Sequence, residues 1–215
     1  MEHQSINNLN FIKNEVESSR QNVKIIAVSK TFPINIIKPL INYGHIHFGE
    51  NKVQEASEKW SLEKKKNNKI KLHLIGKLQS NKVKYCLPLF DYIHSLDNLK
   101  LAEKISHFQT KVNFKPKIFI QVNIGDEDQK NGIAVKNLKN FVEECRNNLD
   151  LDIIGLMCIP PINKNPLAFF NKMKQLNQKY SLKELSMGMS SDYLEAINCG
   201  ATYVRIGSKI FGQRS

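Results

Sequence analysis

Short apolar runs alternate with longer amphipathic segments along the whole chain, and polar turns separate them. Short apolar runs bounded by turns are typical of buried strands, whereas apolar residues repeated every three or four positions are typical of helices. The apolar runs predict strands at residues 24–30, 45–48, 70–76, 91–95, 117–124, 152–157, 184–187 and 202–206. The amphipathic segments predict helices at residues 3–20, 34–43, 51–60, 80–86, 97–109, 135–147, 166–180 and 191–199.

This regular exchange of strand and helix predicts the fold class. Strands that alternate with helices form a parallel sheet with the helices packed outside it. About eight repeats favour an α/β fold of the single-domain (β/α)8 TIM-barrel type over an open doubly wound sheet. No Pro/Ser/Gly linker or low-complexity segment divides the chain, so we expect one domain over residues 1–215, with the helix at about 3–20 ahead of the barrel.

Composition narrows the class of protein. The 215 residues are 41% hydrophobic, which suffices for one sizeable core. The polar amino-terminal segment does not resemble a signal peptide, and no window approaches the roughly 18 apolar residues that a membrane span needs. The four cysteines lie far apart without a CxxC pair, which argues against a zinc knuckle or a disulfide framework. These features predict a cytoplasmic protein.

The net charge of +12 raises the hypothesis of a nucleic-acid-binding protein. The lysines, however, are spread along the chain rather than massed. The one dense run, EKKKNNKIK at residues 63–71, lies between a predicted helix and a predicted strand and is typical of a solvated loop. Nucleic-acid binding is therefore the less favoured hypothesis.

Lys30 stands where the first predicted strand ends, in the stretch KIIAVSKTFP at residues 24–33. Active sites of (β/α)8 barrels lie at the carboxyl ends of the strands. An amine at the mouth of an apolar barrel loses hydration, which favours its neutral form, and a neutral amine attacks an aldehyde to form a Schiff base. The alternative, which the sequence leaves open, is that Lys30 pairs with Glu50 or Asp97 and only closes the rim.

Glycine and hydroxyl-bearing residues follow the last two predicted strands. Gly207 and Ser208 precede a predicted short helix, KIFG, while Ser190 and Ser191 open the helix before it. Glycine lets the backbone approach a ligand, and the N–H groups at a helix N-terminus bind phosphate. Barrels often hold phosphate in the loops after strands seven and eight. Plain helix capping by the serines is the alternative.

Arg205 lies in the last predicted strand, two residues before Gly207, so strand alternation places both residues on one face. If that face is the barrel interior, the guanidinium needs a partner there. A planar ligand ring with an acceptor nitrogen would serve, and an internal salt bridge to Glu50 or Glu184 is the competing interpretation.

Histidines at positions 45, 47, 73 and 94 lie in predicted strands, but none forms a ligand pair at the helical spacing of HExxH. No metal site is predicted, and we expect strand histidines with satisfied hydrogen bonds. The phosphate-loop patterns GxGxxG and GxxxxGK[ST] do not occur, nor does the GxSxG of serine hydrolases.

A series of blocks over about residues 24–214 resembles the pyridoxal-phosphate homeostasis protein family, in that family's order. The blocks are IIAVSKTFP, HFGENKVQEA, HLIGKLQSNKVK, IHSLDN, IQVNIGDEDQKNGI, IIGLMCIPP and LSMGMSSDYLEAINCGATYVRIGSKIFGQR. The resemblance implies a barrel similar to that of alanine racemase, without its β-domain, which binds pyridoxal 5′-phosphate through a Schiff base on Lys30.

The resemblance also implies the other site residues. Ser190, Gly207 and Ser208 match phosphate-binding positions of the family, and Arg205 matches the arginine that faces the pyridine nitrogen. Asn51 and Met157 match residues lining the pocket, and Lys130 in DQKNGI matches a second lysine of functional relevance. Two positions depart from the common pattern: Ser191 replaces an acidic residue, and Lys52 replaces an aromatic one. Neither departure touches Lys30, Arg205 or Gly207.

The function that this resemblance implies is intracellular homeostasis of pyridoxal phosphate, by buffering the cofactor and delivering it to apoenzymes, without a catalytic reaction. An arginine at the ring nitrogen keeps its proton and so weakens the electron sink that amino-acid chemistry needs. A residual racemase or lyase that uses Lys30 as base is the alternative. The second acid/base of alanine racemase belongs to the β-domain, which the chain is expected to lack, and a monomer is expected for the same reason.

Overall fold

The computed structural model describes residues 3–19, 21–127 and 131–213, and these residues form a closed barrel of parallel strands. The strands are β1 Lys24–Val28, β2 His47–Glu50, β3 Lys71–Leu74, β4 Tyr92–Leu96, β5 Lys117–Asn123, β6 Ile133–Ala134, β7 Ile153–Met157, β8 Glu184–Met189 and β9 Tyr203–Ile206. Around the barrel they pair in the order β1-β2-β3-β4-β5-β7-β8-β9, and β9 closes the ring onto β1. The two-residue β6 lies outside the ring and pairs with β5. The predicted (β/α)8 barrel is confirmed.

Helices cover the outside of the barrel. They are α1 Gln4–Ser18, α2 Ile34–Asn42, α3 Val53–Lys66, α4 Val83–Cys86, α5 Leu99–Val112, α6 Leu138–Glu143, α7 Pro166–Lys179, α8 Tyr193–Asn198 and α9 Ser208–Phe211. The helix predicted over residues 135–147 is instead a 3₁₀ turn, then α6, then a π-helical turn at Glu144–Asn148. Among the described helices, none combines the length and the apolar character needed to cross a membrane.

Alternation along each strand separates an outer core from the barrel interior. In β9, Val204 and Ile206 join the large apolar core between strands and helices, whereas Tyr203 and Arg205 point inward. Strands that are buried on both faces read as almost continuous apolar runs. This is why the sequence pattern located them so well.

The barrel interior is unusually polar and aromatic. A small apolar cluster of Ile26, Tyr92, Phe119, Met157 and Tyr203 fills part of it. His47, His73 and His94 lie beside this cluster, and the rings of His73 and His94 stack on Tyr92 and Phe119 at centroid distances of 4.2 and 4.3 Å. The three histidines form a line of hydrogen-bonded rings. In the part of the chain that the structure describes, no three His, Cys, Asp or Glu side chains could hold a metal ion.

We expect acid to destabilise the protein through its buried histidines well before carboxylates titrate. Burial lowers the pKa of both His45 and His47 to about 4, and it lowers the pKa of His73 and His94 well below the usual value. An unfolded histidine takes up a proton near pH 6.5, so the unfolded chain binds more protons between pH 6.5 and 4. The free energy of unfolding must therefore fall as the pH is lowered through this window.

Urea unfolding at pH 8 and pH 5 measures this effect. The free energy of unfolding should be lower at pH 5 by at least about 2 kcal/mol, the contribution of a single histidine shifted to this extent. His45→Gln keeps a side-chain donor for the His47 carbonyl, which the His45 ring contacts at 2.8 Å, and removes one titrating group. The difference between the two pH values should shrink in this variant. Equal stability at both pH values would contradict the prediction.

Candidate functional site

A cavity of about 520 Å³ opens at the carboxyl ends of the strands. Its wall comes from the ends of β1, β2, β3, β8 and β9, the loops that follow them, and the loop after β7. The described lining residues are Val28, Lys30, Phe32, Asn51, Ile75, Gly76, Ile159, Met189, Ser190, Ser191, Arg205, Gly207, Ser208 and Gly212. Lys30, Asn51, Ser190, Arg205, Gly207 and Ser208, which the sequence analysis singled out, thus share one cavity.

Lys30 is half-buried, and the residues on either side of it are held from helix α3. The Lys59 ammonium donates to the carbonyl of Ser29 at 3.0 Å, and the backbone N–H of Thr31 donates to Glu55 Oε1 at 2.7 Å. Thr31 has a φ of 70°, a left-handed conformation that a β-branched residue rarely adopts. The strained backbone is therefore fixed by contacts from outside the strand, and the start of the Lys30 side chain is fixed with it.

Glu50 is fully buried between the barrel and α3 and belongs to the same network. Its Oε1 accepts hydrogen bonds from Ser29 Oγ at 2.8 Å, Lys59 Nζ at 2.9 Å and Trp60 Nε1 at 2.9 Å. The carboxylate is thus committed to Lys59. The alternative in which Glu50 forms a salt bridge with Lys30 or Arg205 is wrong.

Arg205 projects into the barrel from β9 and is almost fully buried. Its Nη1 donates to Ser186 Oγ at 2.7 Å, and its Nη2 donates to the carbonyl of Cys158 at 2.9 Å. Burial lowers the pKa of the guanidinium below its ordinary value, but both acceptors are neutral. The expected alternative partner, Glu184, bonds instead with Lys24 at 3.5 Å.

Two loops form the opposite end of the cavity. Ser190 Oγ accepts a hydrogen bond from the Gly207 N–H at 3.3 Å, so the loop after β8 and the loop after β9 are joined. The Asp192 carboxylate accepts from the Met189 N–H at 2.6 Å and fixes the turn that presents Ser190. Hydroxyl groups and a helix start thus converge at one place. This combination is suited to an anion such as phosphate.

Asn51 connects the site to a tight backbone contact. A Cβ atom placed on Gly76 would lie 2.3 Å from the Asn51 carbonyl oxygen, so only glycine lets the loop after β3 approach Asn51 this closely. The Asn51 Oδ1 is buried and has no hydrogen-bond partner within the described structure. A buried acceptor without a partner is costly, and a ligand hydroxyl would relieve that cost.

Two further residues that the resemblance places in the site are Met157 and Lys130. Met157 is fully buried in the interior apolar cluster and is not among the described residues that line the cavity, so its role in the pocket stays a prediction. Lys130 lies outside the described residues.

Sequence reasoning missed several groups of this site. The apolar part of the cavity wall includes Phe32, Ile159 and Met189. Nothing in the sequence around these residues distinguishes them from ordinary loop residues. Glu55 and Lys59 were also missed, although their spacing of four residues on a helix predicts an ion pair. Ion pairs with this spacing usually lie on a solvent-exposed helix face. The sequence therefore gives no reason to connect Glu55 and Lys59 with Lys30.

The fold and the cavity together define a class of protein: a barrel of the alanine racemase type with a lysine at the end of β1. Residues 4–215 match the family described as "Alanine racemase, N-terminal domain". The alanine racemase of Clostridium difficile superposes with a TM-score of 0.74 at 13% identity, over 97% of this chain and 57% of that chain. At this identity the likeness concerns the fold alone.

Closer relatives identify the family within this class. The chain is 40% identical to the pyridoxal phosphate homeostasis protein of Aquifex aeolicus, over 89% of this chain and 87% of that one. It is 36% identical to the protein of the same name from Haemophilus influenzae, over 97% and 95% of the two chains. The chain belongs to the pyridoxal phosphate homeostasis protein family.

Solved structures agree with this assignment. PipY of Synechococcus elongatus, whose structure has been solved with pyridoxal phosphate bound, superposes with a TM-score of 0.87 at 34% identity. The superposition covers 97% of this chain and all of that chain. The same protein without pyridoxal phosphate gives a TM-score of 0.88.

Proposed function

We propose that this protein binds pyridoxal 5′-phosphate in the cavity at the carboxyl end of the barrel and acts in the homeostasis of that cofactor. The observation that carries the proposal is the composition of one cavity wall: the amine of Lys30, the guanidinium of Arg205 and the Ser190–Gly207 loop contact all face the same space. Its volume of about 520 Å³ lies within the range of small-molecule sites.

The residues present fit the group. Bound pyridoxal phosphate would supply an aldehyde, which the amine of Lys30 can attack to form a covalent attachment. Ser190 and Ser208 would hold the phosphate, together with backbone N–H groups of the loops that carry them. Arg205 would hold the ring nitrogen, and the unpartnered Asn51 Oδ1 offers an acceptor to a ring hydroxyl.

The described wall supports binding rather than turnover. Apart from Lys30 and Arg205, its described residues carry no titratable side chain: they are aliphatic, aromatic, hydroxyl, amide or glycine residues. A two-base reaction at an amino-acid α-carbon needs a second group that accepts or donates a proton. Arg205 cannot serve, because a guanidinium keeps its proton at any working pH. We therefore favour a cofactor carrier over a racemase or lyase.

Three further statements stay predictions: delivery of the cofactor to apoenzymes, a monomeric state and a cytoplasmic location. The half-buried position of Lys30 supports delivery, since an amine that solvent reaches can also release its cargo to solvent. The spread of lysines gives no reason to add nucleic acid as a partner.

Two measurements test the proposed function. Titration with pyridoxal phosphate should produce a saturable visible absorbance band, and borohydride reduction with peptide mass mapping should place one adduct on Lys30. Incubation of the loaded protein with L-amino acids in deuterated water should then show no α-proton exchange at enzymatic rates. Sustained exchange at about 1 s⁻¹ or faster would establish a catalyst and overturn the carrier proposal.

Gly76→Ala should weaken cofactor binding without removing any cofactor contact of its own. The added Cβ would meet the Asn51 carbonyl at 2.3 Å, so the backbone of Asn51 must move away from the cavity. We expect the dissociation constant to rise about tenfold and the stability to fall by about 1–3 kcal/mol, as in overpacked cores.

Gly44→Ala is the matched control for Gly76→Ala. Gly44 has a φ of 93° and no atom within 4 Å of an added Cβ, and it lies at the amino-terminal end of β2, away from the cavity. This variant should lose about 1–2 kcal/mol of stability through backbone strain and bind the cofactor normally. Equal affinity for Gly76→Ala and wild type would show that the contact with Asn51 is irrelevant to the site.

A further inference from the structure

A continuous line of hydrogen bonds crosses the barrel interior and ends at Arg205. His47 Nδ1 lies 2.9 Å from His73 Nε2, and His73 Nδ1 lies 2.9 Å from His94 Nε2. His94 Nδ1 lies 2.9 Å from Ser186 Oγ, which Arg205 Nη1 contacts at 2.7 Å. The line starts at the amino-terminal end of β2, where His47 is half-buried, and reaches the cavity wall through β3, β4, β8 and β9.

Arg205 fixes the direction of every hydrogen bond in this line. A guanidinium only donates, so Ser186 Oγ accepts from it. The other described partner of Ser186 Oγ is His94 Nδ1, so the serine donates its one proton to that nitrogen. A neutral imidazole has one donor and one acceptor. His94 therefore donates through Nε2 to His73 Nδ1, and His73 donates through Nε2 to His47 Nδ1. All three rings must then carry their proton on Nε2.

The line requires neutral histidines, and their surroundings keep them neutral. His73 and His94 are fully buried, and burial is the main cause that lowers the pKa of each ring. Their neighbours add to it: His94 lowers the pKa of His73, and Arg205 lowers that of His94. A protonated ring would present two donors, and one of them would face another donor and break the line.

We propose that Ser186 and the chain of His94, His73 and His47 form a positioning device that holds the charged guanidinium of Arg205 at the cofactor site without a carboxylate. None of the described ion pairs includes Arg205, whose acceptors are a hydroxyl and a carbonyl. The chain turns the negative ends of its aligned dipoles toward the guanidinium, and hydrogen bonds in series strengthen one another. A carboxylate would neutralise the cation. The histidine chain positions the guanidinium and leaves its positive charge available to interact with the ligand.

The first test measures the protons directly, on the cofactor-free protein. Long-range ¹H–¹⁵N correlation of histidine-labelled wild type at neutral pH should show the neutral Nε2–H form for His47, His73 and His94. The exposed His107 on α5 serves as the internal control and should show the averaged signals of a ring in exchange with water. An Nδ1–H or cationic His94 would overturn the proposal. This result does not depend on whether pyridoxal phosphate binds.

The second test separates positioning from packing. Ser186→Ala removes the acceptor of Arg205 Nη1 and leaves the Cys158 carbonyl that accepts from Nη2, whereas Ser186→Thr keeps both acceptors. We expect Ser186→Ala to weaken pyridoxal phosphate binding about tenfold, to shift the absorbance band of the bound cofactor and to put a proton on His94 Nδ1 in part of the molecules. Ser186→Thr should restore all three properties. If Ser186→Ala changes only the urea midpoint and keeps the wild-type affinity and spectrum, the device is structural and the proposal fails.

The positioning role rests on the proposed function, but the two fail differently. If wild type binds no pyridoxal phosphate while the three histidines show the Nε2–H form, the proposed function fails and the direction of the chain stands. If the cofactor binds and His94 is not in the neutral Nε2–H form, the proposed function stands and the positioning role of the histidine chain fails. His73→Phe, which breaks the line at the third hydrogen bond from Arg205, should lower cofactor affinity by a smaller factor, about two- to fivefold. An affinity equal to wild type would show that Ser186 and His94 act without His73 and His47, and would overturn the role of the longer chain.

Discussion

Lys30→Ala is expected to abolish covalent loading with pyridoxal phosphate and to weaken its binding about 100-fold or more, which corresponds to roughly 3 kcal/mol. The side chain is the only amine in the described cavity wall, so no neighbouring group in that wall can replace the bond. Weak reversible binding should remain, because Arg205, Ser190 and Ser208 are untouched. The measurements are the visible spectrum during titration and the mass of the borohydride-reduced protein.

Two matched variants make this experiment decisive. Lys30→Arg keeps a positive charge at the same place but cannot form the covalent bond, so it should behave as Lys30→Ala in mass mapping. Lys52→Ala removes an exposed lysine that is next to Asn51 in sequence and outside the described wall, and it should load normally. An adduct that persists in Lys30→Ala, on Lys52 or another surface lysine, would show that the loading is non-specific and would remove the main support of the proposed function.

The fold could be predicted because the eight barrel strands are largely buried on both faces and the longer helices on one. Apolar runs in strands and apolar repeats in helices are local properties of the sequence. The alternation that places Arg205 and Tyr203 on the inner face of β9 is local as well. Lys30 was found for the same reason. It follows a strand whose apolar character is unmistakable, and the end of a barrel strand is where ligands bind.

The histidine chain could not be predicted, because it depends on the relative register of strands distant in sequence. His47 is paired with Lys71 in the sheet, and His73 is paired with Gly49 and Tyr92. The three rings meet only because the strands are staggered around the barrel. A single-residue shift of one strand would turn its histidine outward. Local pattern gives the face of each residue, and the stagger of a closed barrel is a global property.

The support of Lys30 from α3 escaped prediction for a different reason. Glu55 and Lys59 carry the charge pattern of an exposed helix face, and the sequence offers no sign that α3 packs Lys59 against the carboxylate of Glu50. Their burial is decided by where α3 crosses the barrel. Side chains that act from a neighbouring helix are therefore harder to identify than those that line the cavity.

Lys59→Met is expected to destabilise the fold by about 3–5 kcal/mol, the range measured when one partner of a buried ion pair is removed. The Lys59 side chain is 8% exposed and contacts Glu50 at 2.9 Å, while the Glu50 side chain is fully buried. The substitution keeps the apolar volume and leaves a buried carboxylate without its cation. Urea unfolding at pH 8 measures the loss.

The double variant Glu50→Gln with Lys59→Met tests whether the unpaired charge is the cause. With no charge left at position 50, this protein should recover a large part of the stability lost by Lys59→Met. Lys66→Met is the control on the same helix: its exposed pair with Glu63, at 3.2 Å, should contribute at most about 0.5 kcal/mol.

The same variants should also affect the cofactor. Lys59 holds the Ser29 carbonyl at 3.0 Å and pairs with Glu55 at 3.1 Å, and Glu55 in turn holds the Thr31 N–H. Without the lysine, the backbone around Lys30 loses the hydrogen bond at Ser29, and Glu55 loses the ion pair that orients it toward Thr31, so this backbone samples more conformations. The double variant should therefore stay folded and still bind pyridoxal phosphate about tenfold more weakly than wild type. Wild-type affinity in that folded variant would show that Lys59 stabilises the barrel and contributes nothing to the placement of Lys30.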